Sequence, residues 1–154
     1  MSIAQHSRVF MLARTTTTLI AAAVLSGCAI HQKVTPVEKF DSNEVCIIEN
    51  SAVKATFLDA YRNALTAKNY VVRKLPAASS FNDCAITSTY TANWRWDLAL
   101  YMAYAEIKVY KHAKPAGEAT YDSLRGGANM GKFIDAEAKI AELVNALFPG
   151  QAAQ

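Results

Sequence analysis

The chain has 154 residues, and 52% of them are hydrophobic, enough for one domain with a single core and short appendages. Sixteen lysines and arginines stand against 13 aspartates and glutamates, a formal net charge of +3 that excludes the basic footprint nucleic acid requires. Much of even that small excess belongs to the first 27 residues.

Those residues read as a lipoprotein signal peptide that is cleaved off. Arg8 and Arg14 precede an apolar run, Leu19 to Leu25, with no acid among them. The run is too short to span a hydrocarbon core of about 30 Å, and a basic flank before a short apolar stretch is the pattern of an export signal. It closes on Leu25-Ser26-Gly27-Cys28, which looks like a bacterial lipobox. Small residues fit a peptidase cleft, and the Cys28 thiolate is the nucleophile that accepts lipid. Ala29 follows Cys28 in place of the aspartate that commonly retains lipoproteins at the inner membrane. Outer-membrane anchoring facing the periplasm is therefore expected, with palmitate or similar acyl chains as the membrane partner. Loss of the leader leaves 14 basic and 13 acidic residues.

Residues 28–44 read as a lipidated tether, polar and without period, and residues 45–150 as a single periplasmic domain with a 151–154 tail. Cys46 and Cys84 lie in the domain, and an oxidising compartment makes a disulfide the default. A metal site is the alternative, but His31 and His112 lack ligand spacing to either cysteine.

Val45 to Glu49 is a short apolar run and predicts a buried strand. Asn50 or Ser51 then caps a helix over 52–68, whose Val53, Phe57, Leu58, Tyr61 and Leu65 share a face. Asn69 suits the left-handed position after it, and Tyr70 to Leu75 is a second strand, parallel to the first through a crossover. Cys84 opens a third. Ile86, Ser88, Tyr90, Ala92 and Trp94 alternate with Thr87, Thr89, Thr91, Asn93 and Arg95.

A bend near Trp96-Asp97 returns the chain along Met102 to Val109, with Ala103, Ala105, Ile107 and Val109 on one side and Met102, Tyr104, Glu106 and Lys108 on the other. The stretch from Trp94 to Tyr110 is nearly long enough for a membrane helix. Arg95, Asp97, Glu106 and Lys108 would then lie in lipid at several kcal/mol each, so a hairpin of two strands is predicted instead. Lys114-Pro115-Ala116-Gly117 predicts a turn, Gly117 to Asp122 a strand, Gly126-Gly127 a break, and residues 130–147 a final helix carrying Phe133, Ile134, Ile140, Val144 and Leu147. The order β-α-β-β-β-β-α predicts an α+β sandwich, two helices packed on one face of a mixed sheet.

Gly126-Gly127-Ala128-Asn129-Met130-Gly131-Lys132-Phe133 nearly matches the phosphate-binding loop G-x-x-x-x-G-K-[ST]. Phe133 replaces the hydroxyl that holds magnesium, and the preceding strand is half polar, so the run is read as a glycine-permitted turn and no nucleotide is expected. The acids Asp97, Glu106, Glu118 and Asp122 lie mostly at outward strand positions. Ser79, Ser80 and Ser88 have no histidine in a motif with them. No nucleophile, base and orienter assemble, so neither enzyme activity nor a cofactor is expected. Trp94-Arg95-Trp96-Asp97 is the most individual stretch. Trp94 is expected in the core and Asp97 capping the turn, while Trp96 and Arg95, with Met102 and Tyr104, are expected to offer an exposed partner-binding patch.

The blocks Val45-Cys46-Ile47-Ile48-Glu49-Asn50, Tyr90-Thr91-Ala92-Asn93-Trp94-Arg95-Trp96-Asp97 with Tyr101-Met102, Ala119-Thr120-Tyr121-Asp122, Asn129 to Ile134 and Leu147-Phe148-Pro149 carry a family likeness. On them the chain resembles the Sbal family of gammaproteobacterial lipoproteins, short proteins without an assigned activity. The resemblance implies a lipoprotein and supplies no catalytic residue. Two roles follow as expectations: an envelope interaction or scaffold module with a protein partner, or a module that binds a small molecule or glycan in a concave aromatic pocket.

Overall fold

In the computed structural model, which describes residues 30–40 and 42–150, the chain enters the sheet earlier than its polar sequence suggests. His31–Thr35 forms a strand, β1, antiparallel to Lys114–Asp122. Val37 and Phe40 behind it are buried in the core. Part of the segment expected to be a tether is thus an edge strand of the domain. Four of its five residues are exposed, and polar and charged side chains on an edge strand discourage pairing with another chain. Residues 1–29, 41 and 151–154, which hold the expected leader, Cys28 and the tail, lie outside the described residues.

β2 (Glu44–Ile48) is apolar without alternation because both of its faces are covered and both of its neighbours run parallel to it. Val45 and Ile47 point into the main core, whereas Cys46 and Ile48 join Leu75 and Cys84 on the other side. The helix α1 (Ala55–Ala67) starts later than predicted and its N-cap, Lys54, makes no side-chain capping bond. Asn50 is used otherwise: its Nδ2 donates to the Tyr90 carbonyl, tying the loop to the sheet. α1 buries Phe57, Leu58, Tyr61, Ala64 and Leu65, and Asn69 ends it at φ 65°, as predicted. β3 (Val71–Leu75) then returns parallel to β2.

β4 (Ile86–Asp97), β5 (Ala99–Lys111) and β6 (Lys114–Asp122) form a meander. Its first turn is Leu98 alone, at φ 62°; its second is His112-Ala113, both with positive φ. This second turn comes two residues before the predicted one. Pro115 sits inside β6, at a register shift where a missing N–H is tolerated. The strand order is β1-β6-β5-β4-β2-β3. The α2 helix (Ala136–Leu147) begins only after a 3₁₀ turn, Met130–Lys132; Asp135 caps it by accepting from the Ala138 amide at 2.7 Å. Ile140, Leu143, Val144, Leu147 and Phe148 complete the core with α1. Both helices pack on one face of the mixed sheet, the α+β arrangement predicted. Among the described residues no helix is long and apolar enough to cross a membrane.

Candidate functional site

The β4–β5 hairpin outruns its neighbours. His31 pairs with Asp122 and Asp122 with Tyr104, and this row is where β1 begins and β6 ends. Beyond it β4 and β5 continue together to the pair Asp97–Ala99. On β4 the overhang runs from Asn93, opposite Tyr104, to Leu98 and reaches as much as about 17 Å at the usual strand rise.

Trp94 and Trp96 share a strand face by alternation. Trp94 is half-buried, as a core residue at the edge: its ring meets Phe57 edge-on at 6.4 Å, and the Lys54 ammonium lies 5.1 Å from the indole centroid. Trp96, one pleat further out, is past the helices and 74% exposed. Leu100 stands directly opposite it and is 58% exposed, and Leu98 at the turn is 82% exposed. Arg95 is exposed beside them.

The loop after β6 braces this hairpin. Phe133 packs edge-on against Tyr101 with ring centroids 5.4 Å apart. Lys132 is buried, and its ammonium binds Asp97 Oδ2 at 2.5 Å and the Gly127 carbonyl at 2.6 Å, within 5.5 Å of the Tyr101 and Phe133 ring centroids. Asp97 therefore holds this lysine instead of capping the turn. The lysine of the phosphate-loop-like run is consumed internally, and the Gly131 amide is bound to Asn129 Oδ1. The chain's entry point is here too: a methyl group placed on Gly131 would lie 3.5 Å from Ile30 Cδ1, and one on Gly126 3.7 Å from Ile30 Cγ1. Ile30, the loop and the hairpin form one end of the molecule, the hairpin pole.

The four residues expected to form one patch are dispersed. Trp96 and Arg95 are at the tip. Met102 is fully buried in the main core, because a β-bulge leaves Ala103 without a partner between the pairs Asn93–Tyr104 and Trp94–Met102. One extra residue reverses the alternation of everything beyond it. Tyr104 stays half-buried on the sheet face without helices, where its hydroxyl donates to Glu106 Oε2 at 3.0 Å. Burial first, then the bond to and charge of Glu106, push its phenol up to about 12. Leu98 and Leu100 carry no motif of their own, and the phosphate-loop-like run that contains Lys132 points to a different role from the one it fills. The signal that locates the leucines is an apolar run at a predicted bend.

Cys46 and Cys84 form the expected disulfide. Among the described residues, the one group with metal-ligand spacing is Glu44, Cys46 and Cys84, and its two sulfurs are bonded to each other. Ser88 is buried, bonded to the Tyr61 hydroxyl at 2.7 Å, while His112 is exposed in the second turn. Three surface depressions among the described residues are open grooves. One of about 390 Å³ runs past Thr35, Tyr110 and Glu118, and one of about 500 Å³ past Phe40, Lys111 and His112. The groove with an aromatic wall at Trp94 and Phe57 holds about 250 Å³, below the usual ligand-pocket range of roughly 300–1,000 Å³.

The chain matches no family model and no curated protein. Among solved structures it is similar to the PelC dodecamer from Paraburkholderia phytofirmans, with 12% identity over 76% of this chain and 98% of that one and a TM-score of 0.54. A point variant of the same dodecamer gives 13% identity, 77% and 99% coverage and a TM-score of 0.56. Identity at this level shows a shared fold alone.

Proposed function

We propose that the mature chain is a lipoprotein of the Sbal kind, anchored in the outer membrane through Cys28, whose periplasmic domain is an envelope interaction or scaffold module. The observation that carries this reading is the gathering of the exposed Trp96, Leu98 and Leu100 at the tip of one braced hairpin. Exposed apolar side chains held together on a rigid support mark a docking element. The similar PelC fold is a dodecamer in its solved structures, and self-association of the anchored domain is part of the proposal.

Changing Cys28 to serine is expected to move the protein from the membrane to the soluble fraction with its fold intact; unchanged fractionation would sink the lipoprotein reading. A photo-crosslinking residue in place of Trp96, in the native host, is expected to capture envelope components or a second copy. Adducts with soluble metabolites or glycans alone would move the function to ligand binding.

A further inference from the structure

We infer that the hairpin tip is a membrane-inserting element: Trp96, Leu98 and Leu100 enter the lipid–water interface of the bilayer that holds the lipid anchor. The domain then rests on the membrane at two points. The inference rests on the anchor at Cys28 proposed above, and it names a phospholipid surface as the occupant of the hairpin pole.

Strand direction supplies the first argument. β1 begins at His31 on the row His31–Asp122–Tyr104, and the hairpin protrudes from this same end of the sheet. Ile30 is fixed there against the Gly126–Lys132 loop. Only Ala29 separates Ile30 from Cys28. By contour length alone the lipidated cysteine lies within about 7 Å of Ile30. So short a connection keeps this pole against the bilayer that holds the anchor, where the tip meets lipid and any envelope component embedded in it.

Reach is the second argument. From His31 back to Cys28 the chain spans at most about 10 Å, whereas the hairpin reaches as much as about 17 Å past the same row. With Cys28 at the headgroup level, the tip lies several ångströms deeper, within the roughly 5–10 Å depth at which interfacial elements bury their apolar side chains.

The chemistry of the tip agrees. Tryptophan is enriched at the lipid interface, and Leu98 and Leu100 supply purely apolar contact. Arg95 has a stem long enough to keep its guanidinium among headgroup phosphates. Backbone pairing across the hairpin continues to Asp97–Ala99, so the inward-pointing amide groups are satisfied, and the outward-pointing groups of its two edges and of the Leu98 turn meet the hydrated headgroup region. The carboxylate nearest the tip, Asp97, is neutralised by Lys132.

The full-length lipidated protein carrying Trp94→Phe keeps Trp96 as its one tryptophan. Reconstituted into phosphatidylethanolamine–phosphatidylglycerol vesicles with acyl chains brominated near the headgroup, it is expected to float with the vesicles. Its Trp96 emission should be blue-shifted relative to the soluble Cys28→Ser, Trp94→Phe protein and quenched at least about twofold by the bromines. Adding Leu98→Asp and Leu100→Asp should leave flotation unchanged and abolish the quenching. If Trp94→Phe disturbs folding, the same signal is read as the quenching that the wild type shows and Trp96→Phe lacks. Flotation with an unquenched, red-emitting Trp96 overturns the insertion and leaves the anchor standing. A protein that does not float overturns the anchor and the inference together.

Discussion

Lys132 Nζ lies 2.5 Å from Asp97 Oδ2, so the loop after β6 grips the hairpin directly below its tip. The lysine side chain is 5% exposed and the aspartate 53%. Removal of the carboxylate would leave a buried ammonium with the Gly127 carbonyl and two aromatic faces. Asp97→Ala is expected to cost about 1–3 kcal/mol, below the value for a fully buried pair because Asp97 is half in water. Urea unfolding gives the total. Hydrogen exchange should localise it, with amides from Arg95 to Leu100 exchanging faster than in the parent. An unchanged midpoint and unchanged exchange would mean that the pair does not brace the tip.

Gly117 is fixed by close approach. A Cβ there would lie 2.4 Å from Val37 Cγ1 and 2.9 Å from the Thr35 carbonyl oxygen. The valine can rotate away, but the carbonyl belongs to β1 and cannot move without disturbing that strand. Gly117→Ala is expected to destabilise by about 1–3 kcal/mol, the range for overpacking. Gly150→Ala, with nothing within 4 Å, is the control and should change little. Equal stability of the two variants would show that β1 adapts.

The alternating runs Ile86 to Arg95 and Ala105 to Val109 made the hairpin legible, because a sheet covered on one face imposes period two. The helices were legible from 3.6-residue spacing, although α2 begins six residues late where Asp135, not the glycines, supplies the cap. β1 escaped because a five-residue polar strand has no pattern until its partner is known. Met102 was misplaced for a non-local reason: the bulge at Ala103 is set by how β5 meets β4. Trp96 and Arg95 were legible as exposed tip residues. Lys132 was not legible as their support, since its partner is 35 residues away in sequence and only the folded loop brings the two together.

The disulfide joins β2 to the residues just before β4 and closes a loop with a sequence separation of 38. On the chain-entropy account such a loop contributes about 4 kcal/mol, an upper value for a measured loss. Cys46→Ser with Cys84→Ser also places two hydroxyls in a small buried cluster with Ile48 and Leu75. The double variant is expected to lose several kcal/mol in denaturant titration. Intact mass of the non-reduced parent should be lower than that of the reduced form by two hydrogens. Two thiols that label without reduction would remove the bond from the account.

Tyr104, Glu106 and Lys108 make a short polar row on the open sheet face, with Glu106 accepting from the phenol at 3.0 Å and from the Lys108 ammonium at 2.9 Å. The phenol is pushed up to about 12, first by burial and then by Glu106. Lys108 is raised as well, chiefly through its bond to Glu106. An unfolded tyrosine ionises near 10, so above that pH the unfolded chain releases a proton that folded Tyr104 keeps. The stability contributed by Tyr104 is complete below about pH 10 and is lost as pH rises toward about 12. The raised Lys108 acts with the same sign. Tyr104→Phe is therefore expected to flatten the fall of stability between about pH 10 and 12, and to remove one late-ionising phenol from the ultraviolet titration. Tyr61, which burial pushes higher still, remains as the internal reference. Identical slopes for parent and variant would show that Tyr104 does not hold its proton more tightly in the folded chain than in the unfolded one.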